Sequence, residues 1–279
     1  MIGTQAILSL ILMIVLGLVI PFGVAVWWIK TRKEKATTVL LGAATWFVFA
    51  MILETVPKAI LFNPALAVGK AVTESVVLYT VCGALLAGLF EETGRLLVFR
   101  TLLRKRTNRE TAVSHGVGHG GMEAFFTLTV GGLQNAVFAV LIGTGKLQAI
   151  IDQVAGSGAD VAALQALPEQ LAALTPGTVC LSAAERVFAM LLHVGLSVIV
   201  FCAVQQSKPL LYISAIILHA LFDVPAALYQ RGVIRSMYVC EALIAAYAVV
   251  FFAAIFMTLY RKYGSRTSDA APFVIRSQS

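Results

Sequence analysis

The sequence predicts an all-α integral membrane protein with about seven transmembrane helices. Hydrophobic residues make up 59% of its 279 residues and charged residues only 13%, a composition that would make a water-soluble domain aggregate. The mean hydropathy of +0.89 leads to the same conclusion. Apolar runs of the roughly 20 residues that a helix needs to cross a bilayer can be read seven times along the chain.

The seven apolar runs define the expected elements in chain order. They lie near 6–29, 37–62, 75–103, 113–143, 179–204, 209–229 and 236–260. No basic residue precedes the first run and no small-residue cleavage motif follows it, so we expect an uncleaved helix rather than a signal peptide. The predicted organisation is one polytopic membrane domain over 1–263, followed by a short cytoplasmic tail over 264–279.

Basic residues indicate the orientation of this domain, because they gather in alternate connections. They are Lys30, Arg32, Lys33, Lys35, Arg100, Arg104, Lys105, Arg106, Arg109, Lys208, Arg261, Lys262, Arg266 and Arg276. Connections rich in Lys and Arg stay in the cytoplasm. We therefore expect an integral protein of the cell (inner) membrane whose amino terminus lies outside the cell and whose carboxyl terminus lies in the cytoplasm. The net charge of +7 then reflects the membrane topology. The expected partners are membrane lipids, and binding of nucleic acid is not expected.

One connection is long, the external stretch at about 144–178. Its leucines Leu164, Leu167, Leu171 and Leu174 recur at helical spacing, which predicts an amphipathic segment. Such a segment either lies on the outer leaflet or controls access to a cavity between helices.

Ionisable residues inside the predicted spans point to a polar interior. They are Glu54, Lys58, Glu91, Glu92, Arg95, Glu123, Glu185, Arg186 and Asp223. A charge at the bilayer centre costs roughly 2.5–3.5 kcal/mol on insertion scales, so these side chains must face one another or water. The helical rise places Glu92, Glu123, His193 and His219 about 15–17 Å from their cytoplasmic ends, so we expect four helices to share one site.

Spacing within each helix suggests which of these groups interact. Arg95 follows Glu91 by four residues and Glu92 by three, so it can hold a carboxylate ionised. Asp223 follows His219 by four residues, a spacing at which a carboxylate can orient an imidazole. Glu54 and Lys58 are expected to pair across the kink at Pro57, without a chemical role.

The fourth span combines polar side chains with glycines. His119 and Glu123 are four residues apart and share a face of the helix. Around them lie Gly116, Gly118, Gly120 and Gly121. Glycines at such positions are typical of tight helix packing, and they also leave room for a substrate.

This composition suits a hydrolytic site. A catalytic zinc ion takes three nitrogen or oxygen ligands and leaves a fourth position for water. Glu123, His193 and His219 are the predicted ligands. The predicted catalytic residues are Glu91 or Glu92 as general base, Arg95 to fix its rotamer, and Asp223 to place His219 or to stabilise an oxyanion. His119, Glu185 and Arg186 would contact and orient this set. A metal-free mechanism, in which a glutamate and a histidine activate water directly, stays open at this point.

Four separated motifs then follow one another along the spans. They are Glu91-Glu92-x-x-Arg95, His115-Gly-x-Gly-His119-Gly-Gly-x-Glu123, Glu185-Arg186 with His193, and His219-x-x-x-Asp223. In this combination the chain resembles the YhfC family of intramembrane metalloproteases over roughly residues 37–230. That family is similar to the type II CAAX prenyl proteases and the PrsW proteases. The resemblance implies hydrolysis of peptide bonds within the membrane.

Two details resemble PrsW more closely than the CAAX enzymes. Arg95 follows the glutamate pair at the PrsW spacing, with arginine in place of its lysine, and Asp223 stands where CAAX enzymes commonly carry asparagine. Glu123 falls where the PrsW-like pattern carries a glutamate. These departures argue against prenylated substrates and leave the protein or peptide substrate open.

Two other classes of function also fit intramembrane charges. An ion- or proton-coupled transporter uses Glu, His and Arg chains, although many transporters carry inverted repeats that are not visible here. A non-catalytic membrane scaffold would use the same residues for helix specificity. The leading expectation is a peptidase that cleaves a membrane-embedded or membrane-proximal substrate toward the cytoplasmic half of the bilayer.

Overall fold

The structure is a computed structural model that describes residues 2–156 and 161–262. Every regular element within these two ranges is a helix, which confirms the all-α fold class. In chain order they are α1 (Thr4–Arg32), α2 (Ala36–Leu61), α3 (Ala67–Glu74), α4 (Val76–Arg100), α5 (Glu110–Gly143), α6 (Lys146–Gly156), α7 (Ala162–Ala172), α8 (Pro176–Gln205), α9 (Pro209–Gln230) and α10 (Met237–Tyr260). The predicted tail over 264–279 lies outside the described residues.

Seven of the described helices are long and apolar enough to cross a membrane, as predicted. They are all but the short α3, α6 and α7, and their ends lie within about three residues of the predicted ones. Local sequence explains several starts. The Ser75 side chain accepts a hydrogen bond from the Leu78 amide at the start of α4, and Thr175 caps α8 with Pro176 in the first turn.

Helix α8 forms the centre of the bundle. Of its most apolar window 78% is buried, whereas no other spanning helix of the described chain exceeds 28%. It packs against α1, α4, α5, α9 and α10, and Leu192, Leu196 and Val200 are fully buried along it. A helix that is apolar all round belongs in such a central position.

Glycines let α5 lie against two neighbours at close distance. A Cβ atom at Gly118 would lie 1.8 Å from the Val39 carbonyl oxygen of α2, and one at Gly116 would lie 2.5 Å from the Val194 Cα of α8. No side chain fits at either position without moving a backbone. The packing role expected for these glycines is therefore present, and it turns the polar face of α5 inward.

Two spanning helices widen next to the polar interior. α2 is π-helical over Phe47–Leu53, directly before Glu54, and α5 is π-helical over Phe125–Val130, which begins two residues after Glu123. Such wide turns inside α-helices are frequent at functional sites. The expected pair across the α2 irregularity is present, since Lys58 Nζ lies 2.7 Å from Glu54 Oε1.

The long connection contains the amphipathic helix that the leucine spacing predicts. Leu171 of α7 is buried, and α7 packs against the carboxyl-terminal part of α5. Leu147 and Ile151 of α6 are buried as well. The position of this connection on the outer leaflet remains a prediction.

We predict that Gly118→Ala lowers the free energy of unfolding by about 1–3 kcal/mol, because the new methyl group would overpack the contact with Val39. The matched control is Gly23→Ala in α1, where a Cβ atom meets nothing within 4 Å. Thermal unfolding of both variants in detergent measures the difference. Equal melting temperatures would show that α2 and α5 are not packed as described.

We also predict the orientation of the bundle, with the basic connections in the cytoplasm. A fluorescent protein fused to the carboxyl terminus should fluoresce, and alkaline phosphatase fused there should be inactive. Phosphatase fused after Gly145, between α5 and α6, should be active. The opposite pattern of activities would invert the topology.

Candidate active site

Side chains from α4, α5, α8 and α9 meet inside the bundle. Depth is measured here from the helix ends that are predicted to be cytoplasmic. Glu92 lies eight residues, or about 12 Å, from the end of α4, and Glu123 lies thirteen residues, or about 20 Å, from the start of α5. The expected equality of depth is therefore approximate, because α4 ends at Arg100 rather than near 103. His193 and His219 lie between these depths, and the four side chains still form one connected set.

Glu92 holds one histidine in place. Its Oε1 lies 2.8 Å from His219 Nδ1 and 3.2 Å from Arg95 Nη1, and both Glu92 and Arg95 are fully buried. A carboxylate accepts a hydrogen bond, so Nδ1 carries a proton, and in the neutral ring the lone pair would lie on Nε2. That Nε2 lies 3.9 Å from Glu91 Oε2 and 3.8 Å from Asp223 Oδ2.

His193 is held from both sides of its ring. Arg95 Nη2 donates to its Nδ1 at 2.9 Å, since a guanidinium has no acceptor. The proton must then sit on Nε2, which donates to Glu123 Oε2 at 2.5 Å. Glu123 Oε1 in turn lies 2.6 Å from Arg186 Nη1, and Arg186 also pairs with its neighbour Glu185. A continuous chain of charged contacts thus links α4, α8 and α5.

Glu91 makes a separate contact with α5. Its Oε2 lies 2.9 Å from His119 Nε2, and the His119 ring centroid is 4.8 Å from that of His193. His115 lies further from the set, with its two ring nitrogens 3.2 Å from Thr45 Oγ1 and 3.3 Å from Ser197 Oγ. Both His115 nitrogens are satisfied by hydroxyls, so this residue supports the packing of α2, α5 and α8.

A cavity of about 240 Å³ lies among these side chains, and some of the site residues line it while others do not. Its lining consists of Trp46, Ala50, Met51, Glu54, Lys58, Ala87, Glu91, Glu123, Thr127, His193, His219, Phe222 and Asp223. Glu92 and Arg95 are not part of this lining and lie behind His219 and His193. We call this space the site cavity.

Sequence reasoning left Glu54 and Lys58 without a chemical role, yet both line the site cavity. Glu54 is only 1% exposed despite its charge. The sequence feature that could have indicated this role is an acid, Glu54, close to Pro57 in an otherwise apolar span. The widened turn before Glu54, which helps to set the direction of its side chain, is not visible in the sequence.

One group within the described residues has the geometry to hold a metal ion. Ligand atoms of Glu91, His193 and His219 lie within 4.8 Å of one another, and all three side chains are buried. Two imidazoles and a carboxylate are a donor set that zinc accepts. The predicted third ligand, Glu123, contacts His193 and Arg186 instead of joining this group.

Metal binding at this group would require the hydrogen bonds of His193 to change. Glu92 Oε2 and His119 Nδ1 are buried without a hydrogen-bond partner in the described chain. Coordination through His193 Nε2 would require a proton on Nδ1, so Arg95 would have to release that nitrogen. The free oxygen of Glu92 is an alternative acceptor for Arg95.

Comparison with known proteins adds independent information. Residues 15–244 match the family described as YhfC intramembrane metalloprotease, and this range includes every residue of the site. The chain is 31% identical over 250 residues to the uncharacterised membrane protein YhfC of Bacillus subtilis (strain 168), covering 90% of this chain and 95% of that protein. No solved structure gives a significant match.

We predict that Glu91→Gln removes stoichiometric zinc binding, because the amide is a much weaker ligand than the carboxylate it replaces. Glu123→Gln should retain the metal. Metal content after dialysis, together with calorimetric titration of zinc, measures both. Loss of zinc in Glu123→Gln with retention in Glu91→Gln would instead support the ligand set expected from the sequence.

Proposed function

The chain belongs to the YhfC intramembrane metalloprotease family, and on that premise we propose that it hydrolyses peptide bonds of a membrane-embedded or membrane-proximal substrate. The observation that supports this most strongly is the site cavity itself. It places a metal-capable group beside further carboxylates at the depth of the hydrocarbon core, where a structural ion pair needs no open space.

Glu91, His193 and His219 would hold the ion, and zinc suits this donor set. When bound, the metal supplies Lewis-acid polarisation of water and of the substrate carbonyl. The protein's part is to fix the ligands. Glu92 keeps His219 in the tautomer whose Nε2 faces the site cavity, which is the role that outer carboxylates play for histidine ligands.

Glu123 is the general base in this proposal. Its carboxylate lines the site cavity, and its Oε2, which accepts a hydrogen bond from His193 Nε2 at 2.5 Å, would become free when that nitrogen binds the metal. Arg186 holds the other oxygen at 2.6 Å, so the carboxylate is oriented before water arrives. The proton of the attacking water would pass to Glu123 and then to the leaving amine.

This assignment moves the base away from the glutamate pair on α4 that the sequence suggested. Glu92 is fully buried behind His219 and bound to Arg95, so water in the site cavity does not reach it. Glu91 does face the cavity, and it serves as a ligand. Arg95 positions Glu92 and His193 from one guanidinium.

A metal-free version of the same reaction rests on a different observation. The bond from Arg95 to His193 Nδ1 favours the tautomer that donates to Glu123, and this pair could activate water directly. Activity that survives exhaustive chelation would select this version. Activity that is lost on chelation and restored by zinc would select the metal.

We predict that Glu123→Gln lowers peptide hydrolysis by about 10²–10⁴-fold, the usual contribution of a general base, while the fold and zinc content are retained. Glu169→Gln on α7 is the matched control, since Glu169 is exposed and outside the site cavity. Cleavage of a panel of membrane peptides in liposomes measures the rates. Ion flux without any hydrolysis by the wild-type protein would replace this function with transport.

A further inference from the structure

A second and larger cavity adjoins the site cavity. Its volume is about 570 Å³, and it shares Lys58, Ala87 and Asp223 with the site cavity. Its walls come from α2, α3, α4 and α9. Because the two cavities share these three wall residues they are direct neighbours, and we call the larger one the access cleft.

The access cleft runs toward the end of the bundle opposite the basic connections. On α4 it extends from Ala87 back to Tyr79, and on α9 it extends from Asp223 forward to Gln230. Eight residues of helix correspond to about 12 Å. The cleft therefore begins beside the site cavity and ends near the outer surface in the predicted orientation.

Small residues make this space. Gly83, Ala84 and Ala87 face Ala226 and Ala227 across the cleft. Just below them, a Cβ atom at Gly88 would lie 2.7 Å from the Ile216 carbonyl oxygen, so α4 and α9 are in direct contact there. The gap between α4 and α9 is thus closed on the inner side of the cleft.

Polar contacts fix the outer mouth of the cleft. Tyr79 donates from its hydroxyl to Gln230 Oε1 at 3.0 Å, and Arg231 Nη2 donates to the Thr73 carbonyl oxygen at 2.8 Å. The Arg231 guanidinium also stacks over the Tyr79 ring at 5.0 Å. These bonds tie α3, α4 and α9 together, so the mouth is a built opening with polar edges and an apolar interior.

We infer that the access cleft binds about four residues of the substrate in extended conformation and places the adjacent peptide bond in the site cavity. This rests on the proposed function. At about 3.3 Å per residue, four extended residues cover the 12 Å of the cleft.

The chemistry of the cleft also defines the substrate class. Its interior of alanine, glycine and Phe62 accepts uncharged side chains, while hydroxyl and amide groups at the mouth suit a segment that comes from the membrane surface. Lys58 and Asp223 mark the inner end, where the scissile bond would lie. The substrate is therefore a membrane-anchored chain whose outer juxtamembrane segment unwinds and enters from outside.

Thiol labelling tests the cleft without any assay of activity. Gly83→Cys is placed in a background in which Cys82, Cys180, Cys202 and Cys240 are serine. The new Cβ atom meets only Phe62, at an ordinary 3.7 Å. A membrane-impermeant maleimide added to the outside should label this cysteine at least about tenfold faster than the control Val81→Cys. Val81 is exposed on the lipid-facing side of α4, where a thiol does not ionise to the reactive thiolate. Equal rates would overturn the cleft.

Blocking the cleft tests its role in catalysis. Ala87→Trp should lower kcat/KM at least about tenfold with zinc content unchanged, and Ala227→Trp on the facing wall should do the same. Leu85→Trp, on the lipid-facing side of α4, should have wild-type activity. Shortening a peptide substrate below about four residues on the cleft side should reproduce the loss.

The outcomes separate the two proposals. Hydrolysis that is unchanged by both tryptophan variants would overturn the access cleft and leave the proposed function standing. A wild-type protein that hydrolyses no peptide, although Gly83→Cys is labelled, would overturn the proposed function and the substrate role of the cleft with it.

Discussion

The burial of ionisable groups among apolar helices is the constraint on which the structure depends. Arg95 and Glu92 are fully buried, and an unpaired charge at such a place costs several kcal/mol. Each can remain only while the other, and the two histidines they contact, hold their positions. Three helices, α4, α8 and α9, are thereby held in one arrangement by electrostatics, in addition to packing. The same bonds set the tautomers of His193 and His219, so stability and chemistry share their residues.

The glycines of α5 make this arrangement sterically accessible. Because Gly116 and Gly118 let the backbone of α5 approach α8 and α2, His119 and Glu123 reach partners on α4 and α8. A larger residue would separate the helices and lengthen those contacts. Close backbone packing and a polar interior are therefore two consequences of one sequence pattern.

The sequence was sufficient for the spans, it did not place Glu54 and Lys58 at the site cavity, and it could not assign the roles of the other ionisable residues. Hydropathy defines a helix of about 20 residues directly, which is why the ends of α8 and α9 were predicted within three residues. The cost of intramembrane charge likewise identifies Glu91, Glu92 and Glu123 as a group. Which of them faces open space depends on the rotation of each helix about its axis. A few tens of degrees decide that Glu91 lines the site cavity while Glu92 lies behind it, and the widened turns of α2 and α5 add further rotation that periodicity does not encode.

Charge balance gives a reason for a cation at this site. Within the described residues the connected acids are Glu54, Glu91, Glu92, Glu123, Glu185 and Asp223, and the permanent cations are Lys58, Arg95 and Arg186. Six carboxylates against three cations would leave three negative charges in a low-dielectric interior. Protons on histidines and carboxylates can offset them, and so can a divalent ion. A divalent ion held by Glu91, His193 and His219 would offset two of these charges and leave Glu123 ionised. A structural ion-pair network needs neither surplus negative charge nor open space beside it, whereas a cavity lined by both can accommodate a cation.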